Sequence, residues 1–352
     1  MDCMWEIGGY LAAHAALHPS LRPRDAVKLC YQAAFGAEHL LEDVSAAREC
    51  FMEEFSRVEA REAALCEDVS PALCRADISA WKAKGLAPEW LFRAFALTAS
   101  PPSEGAERAF LHYLDEAQAL ADAGALPFLG EEFRAFTADY LTGGIGPVRH
   151  SAEYRVAEEP AYRLVKKSAA RFFPLLARVA GLAGAVKIVA IDGRCASGKT
   201  SMAADLAAIL GAGVAHMDDF FLPPELRTPE RLAAPGGNAH FERFREEVLP
   251  FLTSPEAFSY RVFDCSKMAL IGTRAVAAGP YRIVEGAYCC HPALGNYASL
   301  RAFSDVDPAT QRERIRERDG EAALAQYEAR WIPMEEAYIA AFGIREKADV
   351  IL

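Results

Sequence analysis

The sequence predicts an α/β domain over residues 184–352, with a mostly parallel sheet covered by helices on both faces, preceded by an all-α domain over residues 1–183. Short apolar runs alternate with helical segments through the second half, as in strands joined by crossover helices. The run Gly193-Arg194-Cys195-Ala196-Ser197-Gly198-Lys199-Thr200 breaks a strand-to-helix junction with the spacing GxxxxGK[ST]. The first half shows apolar residues at helical spacing, few alternating runs and no internal repeat.

At 352 residues the chain exceeds what one core ordinarily organises, so two domains are expected. With 52% apolar and 25% charged residues it has the composition of a folding, globular chain. A formal charge of −11 argues against a surface that coats nucleic acid, while a local basic pocket for phosphates stays compatible. Small molecules are the expected partners, and homo-oligomer formation is left open. The nine cysteines include no CxxC pair, and a disulfide between the adjacent Cys289 and Cys290 would be strained, so reduced thiols and a cytoplasmic location are expected. Asp2 and Glu6 stand where a secretory leader would carry Lys or Arg, and Lys187 interrupts the best apolar stretch, Val179 to Ile191. Neither export nor membrane insertion is expected.

In the first half, Asp25 to Leu41 places Val27, Leu29, Cys30, Ala34, Ala37 and Leu41 at helical spacings behind Pro23. Helices are also predicted over Ala46–Phe55, Pro88–Thr98, Glu104–Ala121, Glu131–Leu141 and Ala161–Val179, punctuated by prolines and glycines. Six to eight helices result. Two spots there could carry chemistry: Glu38-His39, and Arg149-His150-Ser151 with Tyr154, Arg155, Tyr162 and Arg163 following. The second set suits an anionic or ring-bearing ligand, but a capped helix start with a hydrogen-bonded core histidine explains it more simply. The scattered histidines match no zinc module.

Ala180 to Ala185 is small and flexible and marks the domain boundary. Beyond the strand at Ile188–Ile191, the reading runs helix Lys199–Leu210, strand Gly213–Met217, helix His240–Leu252 and a short strand Ser259–Phe263. It continues with strands Tyr281–Val284 and Leu300–Val306, helices from Pro308, and a last strand Ala348–Leu352.

The chemistry centres on the glycine-rich loop. Gly193, Ala196, Ser197 and Gly198, with Ser201 just beyond, form a backbone that can curl its N–H groups around a phosphate chain at a helix start. Lys199 reaches the β- and γ-phosphates of such a ligand, and the Thr200 hydroxyl suits Mg2+. Two other predicted strands end in acids: Asp218-Asp219 after Met217, and Glu285 after Val284. Ligands on such sheets bind at the carboxyl ends of strands. Consecutive side chains diverge, so one aspartate of the pair can face the phosphate; Asp218 is expected to be the base and, with Thr200 and Glu285, to hold Mg2+, and Asp219 to be a capping or solvated acid.

The blocks GRCASGKT, MDDFF, YRVFDC, IVEGAY, DVDPATQRERIRERD with Gln326-Tyr327, and ADVIL stand in an order that resembles the uridine kinase and phosphoribulokinase group of P-loop kinases, over roughly Val186 to Leu352. The resemblance implies an ATP- and Mg2+-dependent transfer of the γ-phosphoryl group to a hydroxyl of a nucleoside or other small metabolite. It implies Asp218 as catalytic base, Glu285 as the second Mg2+-associated acid, and the helix Arg312–Arg318 as a lid. Four-residue spacing puts Arg314 and Arg318 on one face of that helix and Arg312 and Arg316 on another. The resemblance assigns the first pair to the phosphates. It covers no part of the first half.

Five positions where uridine kinases hold their nucleoside read His240, Phe263, Met268, Phe221 and Gln311 here, and all five differ. The resemblance thus supports the reaction more than uridine as acceptor. Arg227, Arg231, His240 and Asp264 are the candidate acceptor residues, beside the Pro235-Gly236-Gly237-Asn238 turn. Cys195 sits where loop N–H groups and Lys199 would lower a thiol pKa, although a small tolerated residue is the simpler account. A reading of another class is a nucleotide-gated regulatory ATPase whose helical half binds a protein partner.

Overall fold

The computed structural model describes residues 6–37, 41, 43–98 and 104–352. The chain divides into two compact units, Met1–Phe173 and Pro174–Leu352. The division lies ahead of the boundary expected at 183/184, because most of the apolar helix Phe173–Ala180 belongs to the second unit.

The first unit is built mainly of helices, among them Gly8–Leu17, Pro23–Phe35, Val44–Arg57, Pro88–Ala96, Ala106–Asp122 and Gly130–Thr142. It is not purely helical. Strands β1 (Cys66–Asp68), β2 (Leu73–Asp77) and β3 (Tyr162–Lys166) form an antiparallel sheet in the order β1-β2-β3. The helix expected over Ala161–Val179 is therefore a strand followed by two short helices, Lys167–Ala170 and Phe173–Ala180. Pairing overrides local pattern here: Val165 lies opposite Cys74 in β2, a partner that no window around Val165 contains. The helix expected to reach Leu41 ends at Phe35, where Gly36 turns to φ 69°. Glu38 and His39 lie outside the described residues.

The second unit holds strands β4 (Lys187–Gly193), β5 (Gly213–His216), β6 (Phe258–Asp264), β7 (Ala269–Val276), β8 (Tyr281–Glu285), β9 (Leu300–Ser304) and β10 (Val350–Ile351). Five of them form one parallel sheet in the order β10-β9-β4-β8-β5. Consecutive residues Ile188 to Ile191 of β4 are all buried, so both faces of the central strand are covered. After β4 the chain steps over one position to β5, returns to β8 and then crosses to β9. The strand order reverses around β4, and its carboxyl end opens the crevice where such sheets bind ligands.

β6 and β7 form a separate antiparallel hairpin with a register shift between Val262 and Phe263. The sequence predicts one short strand there. β7 is mostly exposed and carries Gly272 at its middle, so it lacks the alternation that marks a half-buried strand. Among the described residues no helix is long and apolar enough to cross a membrane.

One glycine sets how closely two strand tips approach. Gly193 has φ 144°, and a Cβ there would stand 2.1 Å from the Ser304 carbonyl oxygen and 2.8 Å from its nitrogen. Both atoms are backbone and cannot swing away. Gly193→Ala is expected to cost at least about 2 kcal/mol, from backbone strain and overpacking together. Gly272→Ala, with nothing within 4 Å, is the control expected to be neutral or better in urea denaturation of the full chain.

Candidate functional site

The loop at the tip of β4 is anchored from beneath by a buried acid that the sequence reading did not single out. The Asp192 carboxylate accepts the N–H groups of Gly193 (2.7 Å) and Cys290 (2.8 Å) and the Tyr338 hydroxyl (2.7 Å). Burial raises its pKa, and these donors oppose the rise. Ala196 (φ 56°) and Gly198 (φ 93°) take left-handed conformations, and helix Lys199–Leu210 starts at once behind them. Alternation of this kind turns successive N–H groups toward one side. Lys199 is buried, its Nζ donating to the carbonyls of Gly193 (3.0 Å) and Arg194 (2.7 Å). The Ser197 hydroxyl oxygen is buried and has no partner among the described residues.

Beside the loop, the Thr200 hydroxyl lies 3.3 and 3.4 Å from the two oxygens of Glu285. Glu285 ends β8, is almost fully buried, and meets His216 Nδ1 at 2.5 Å. A hydroxyl and a carboxylate of hard oxygens at this separation fit Mg2+, with His216 fixing the orientation of the carboxylate.

β5 ends in a short 3-10 turn, Met217–Phe220, which sends the two aspartates apart. Asp219 is buried, accepts the Tyr260 hydroxyl at 2.8 Å and pairs with Arg274 at 3.2 Å, while its carbonyl takes a bond from Arg243. It holds structure together. Asp218 is open to the cavity and accepts no hydrogen bond among the described residues. Protein closes around the cavity and raises the Asp218 pKa; Lys199 opposes the rise, and Glu285 and Asp219 add to it.

Lys199, Thr200, Ser201 and Asp218 line one cavity of about 650 Å3, together with Arg314 and Arg318. Arg314 Nη1 reaches the Ala196 carbonyl at 3.2 Å, and Arg318 Nη2 reaches the Tyr327 hydroxyl at 3.1 Å. Arg318 also pairs with Asp319 at 2.7 Å, while Arg312 and Arg316, which pair with Glu328 (2.7 Å) and Glu321 (2.8 Å), lie outside the cavity lining.

Three further lining residues, Glu335, Arg330 and Trp331, carry no signal in the sequence. Glu335, on helix Ile332–Phe342, accepts the Cys195 N–H at 2.7 Å, so a buried carboxylate faces the loop and Lys199. Burial raises its pKa, with Lys199 opposing. Arg330 and Trp331 belong to a π-helical turn, Tyr327–Trp331, and also line the cavity. Wide turns of this kind are frequent at functional sites and leave no sequence pattern.

The acceptor candidates separate. Arg227 lines the cavity; its Nε donates to the Leu222 carbonyl at 2.8 Å and no carboxylate pairs with it among the described residues. Asn238, Phe221 and Met268 line it too, and Asn238 Oδ1 is buried without a partner among the described residues. Arg231, His240 and Asp264 are not in the lining. Arg231 straps its own loop, donating to the carbonyls of Gly237 and Ala239 (both 2.9 Å) and pairing with Glu242 at 2.8 Å. His240 caps helix Phe241–Glu247 by accepting the Arg243 N–H at 3.3 Å. Asp264 closes the hairpin turn on Ser266 N (2.7 Å) and Oγ (2.6 Å). All three give polar atoms to nearby backbone or side chains and lie outside the cavity lining. Phe263 and Gln311 are buried, Gln311 holding the Cys195 carbonyl at 3.0 Å. Burial and the nearby Glu335 push the Cys195 thiol up to about 12, the opposite of an activated thiolate.

No protein-family profile and no curated protein matches the chain in sequence. Solved structures match it. A protein provisionally described as a uridine kinase, from Bacillus stearothermophilus, is similar at 17% identity and a TM-score of 0.40, over 53% of this chain and 99% of the other. A protein provisionally described as a fructose transport system kinase, from Silicibacter sp. TM1040, is similar at 25% identity and a TM-score of 0.43, over 53% of this chain and 98% of the other. By its own parallel sheet, with the strand–loop–helix at the centre and acids at the strand ends, the second unit has a P-loop-type α/β fold.

Proposed function

We propose that this chain transfers the γ-phosphoryl group of ATP to a hydroxyl of a small metabolite, with Mg2+. The observation that carries the reading is the open Asp218 carboxylate sharing one cavity with Lys199, Thr200, Arg314 and Arg318. The loop amides and Lys199 hold the triphosphate. Thr200 and Glu285 hold the ion, which supplies neutralisation of charge on the phosphate oxygens. Asp218 orients the acceptor hydroxyl and takes its proton as the acceptor oxygen bonds to the γ-phosphorus and ADP departs with the bridging oxygen's electron pair. Arg314 and Arg318 balance the charge that spreads over the transferring group.

Two features bear on the acceptor. Asn238 Oδ1 offers a buried acceptor atom to a second hydroxyl, and Arg227 offers a cation without a carboxylate partner among the described residues. A polyol or sugar-like compound with an anionic group satisfies both, since each buried polar atom then gains a partner.

The test is ADP release measured across nucleosides, sugars and hydroxy acids, with and without anionic groups. A rise in release that depends on one class of acceptor is expected; release indifferent to every acceptor overturns the reading and leaves a regulatory ATPase. With the acceptor in hand, Asp218→Asn should lower kcat by about 10²–10⁴-fold while ATP still binds. Lys199→Ala should lower kcat/KM by about 10²–10³-fold.

The pH dependence follows from the environment of Asp218. Its pKa is raised, and the base works as the carboxylate, so activity should fall as pH drops, with an inflection above the ordinary carboxylate value of about 3.9. A kcat profile from pH 4 to pH 8 checks this, and the residual activity of Asp218→Asn should lack the acid limb.

A further inference from the structure

The first unit buries a continuous polar layer that the kinase-like reaction does not use. Asp25 is almost fully buried, and its carboxylate accepts from His150 Nδ1 (2.8 Å), Ser151 N (2.9 Å), Ser151 Oγ (2.6 Å) and Arg22 N (3.1 Å). With so many donors on the carboxylate, the His150 proton sits on Nδ1 and leaves Nε2 as an acceptor. The Tyr162 hydroxyl donates to that Nε2 at 2.8 Å and accepts from Gln32 at 3.1 Å. Gln32 Oε1 in turn takes Arg75 Nη2 at 2.8 Å, and the Arg75 guanidinium stacks 4.6 Å from the Tyr162 ring centroid. Arg75 is 3% exposed and has no carboxylate within ion-pair distance among the described residues. A layer of this kind costs desolvation that apolar packing would avoid.

Two clefts meet at this layer. One, of about 370 Å3, is lined by Tyr31, Gln32 and Tyr162; the other, of about 860 Å3, by Arg57, Arg61 and Arg155. Lys28, Arg149 and His150 line both. Lys28 Nζ donates to the Val148 carbonyl at 3.0 Å, and no carboxylate pairs with it among the described residues. Burial lowers its pKa to about 8. Arg149 is exposed and has no partner among the described residues. Neither cation has a carboxylate at ion-pair distance among the described residues, although Asp25 attracts Lys28 and the two clefts also hold Glu54, Glu59 and Glu159 in their lining.

We propose that the first unit carries a second small-molecule site, in which Lys28 and Arg149 hold the carboxylate or phosphate group of a ligand whose remainder lies against Tyr162. Lys28 retains donors beyond the one given to Val148, and Arg149 presents its whole fork. The His150–Tyr162 pair forms a wall of fixed tautomer, held in place by Asp25, and the Tyr162 oxygen keeps a lone pair for a ligand hydroxyl. The site stands independently of the phosphoryl-transfer reading, because none of its residues lies in the second unit.

The experiment is isothermal titration of the full chain carrying Lys199→Ala, which disables the phosphate loop, at constant ionic strength. Inorganic phosphate is the probe in one arm and succinate in the other. Saturable binding of one equivalent in either arm is expected, and the arm that binds names the anion. Arg149→Ala, at an exposed position that folding does not need, and Lys28→Met should each weaken it at least tenfold. Saturation in neither arm, or binding unchanged by both substitutions, overturns the proposal.

Discussion

The second unit depends on the close passage of β4 and β9 at Gly193 and Ser304. A Cβ at Gly193 would collide with main-chain atoms, so the phosphate loop can leave the sheet at this height only because residue 193 lacks one. The buried Asp192 then ties the loop base to Cys290 and Tyr338, residues from distant parts of the chain. The cradle is thus pre-shaped by packing and hydrogen bonding beneath it.

Charge around that cradle is arranged in opposition. Lys199 brings a buried cation to the loop, while Asp218, Glu285 and Glu335 bring carboxylates within electrostatic reach of it or of one another. Burial first, then Glu285 and Asp219, raise the Asp218 pKa; burial and Asp218 raise that of Glu335; Lys199 opposes both rises. A triphosphate with Mg2+ would enter a site whose fixed charges already alternate. The arginines of Pro308–Asp319 divide by spacing, Arg314 and Arg318 lining the cavity and Arg312 and Arg316 lying outside its lining.

The first unit solves a different problem. Its small sheet brings Arg75 of β2 and Tyr162 of β3 together, and the helix Pro23–Phe35 supplies Asp25 and Gln32 to the same layer. Each hydrogen bond in that layer fixes the direction of the next, so the tautomer of His150 is dictated by Asp25.

The strand–loop–helix at residues 187–210 and the acids at 218 and 285 were legible in the sequence because each signal is local: a run of apolar residues, a fixed glycine spacing, a carboxylate directly after a strand. The partners of those residues were not legible. Glu335 meets Cys195 across 140 positions, and Asp25 meets His150 across 125, with no pattern linking either pair. β3 and β7 escaped detection for related reasons, one being defined by its pairing and the other lying mostly in solvent. Arg231, His240 and Asp264 have side chains suited to a ligand, yet nearby backbone groups claim them first. Covalent neighbours determined which elements form and what chemistry the loop can hold. Which polar atoms stay free to meet a ligand was decided only when the tertiary fold satisfied all the others.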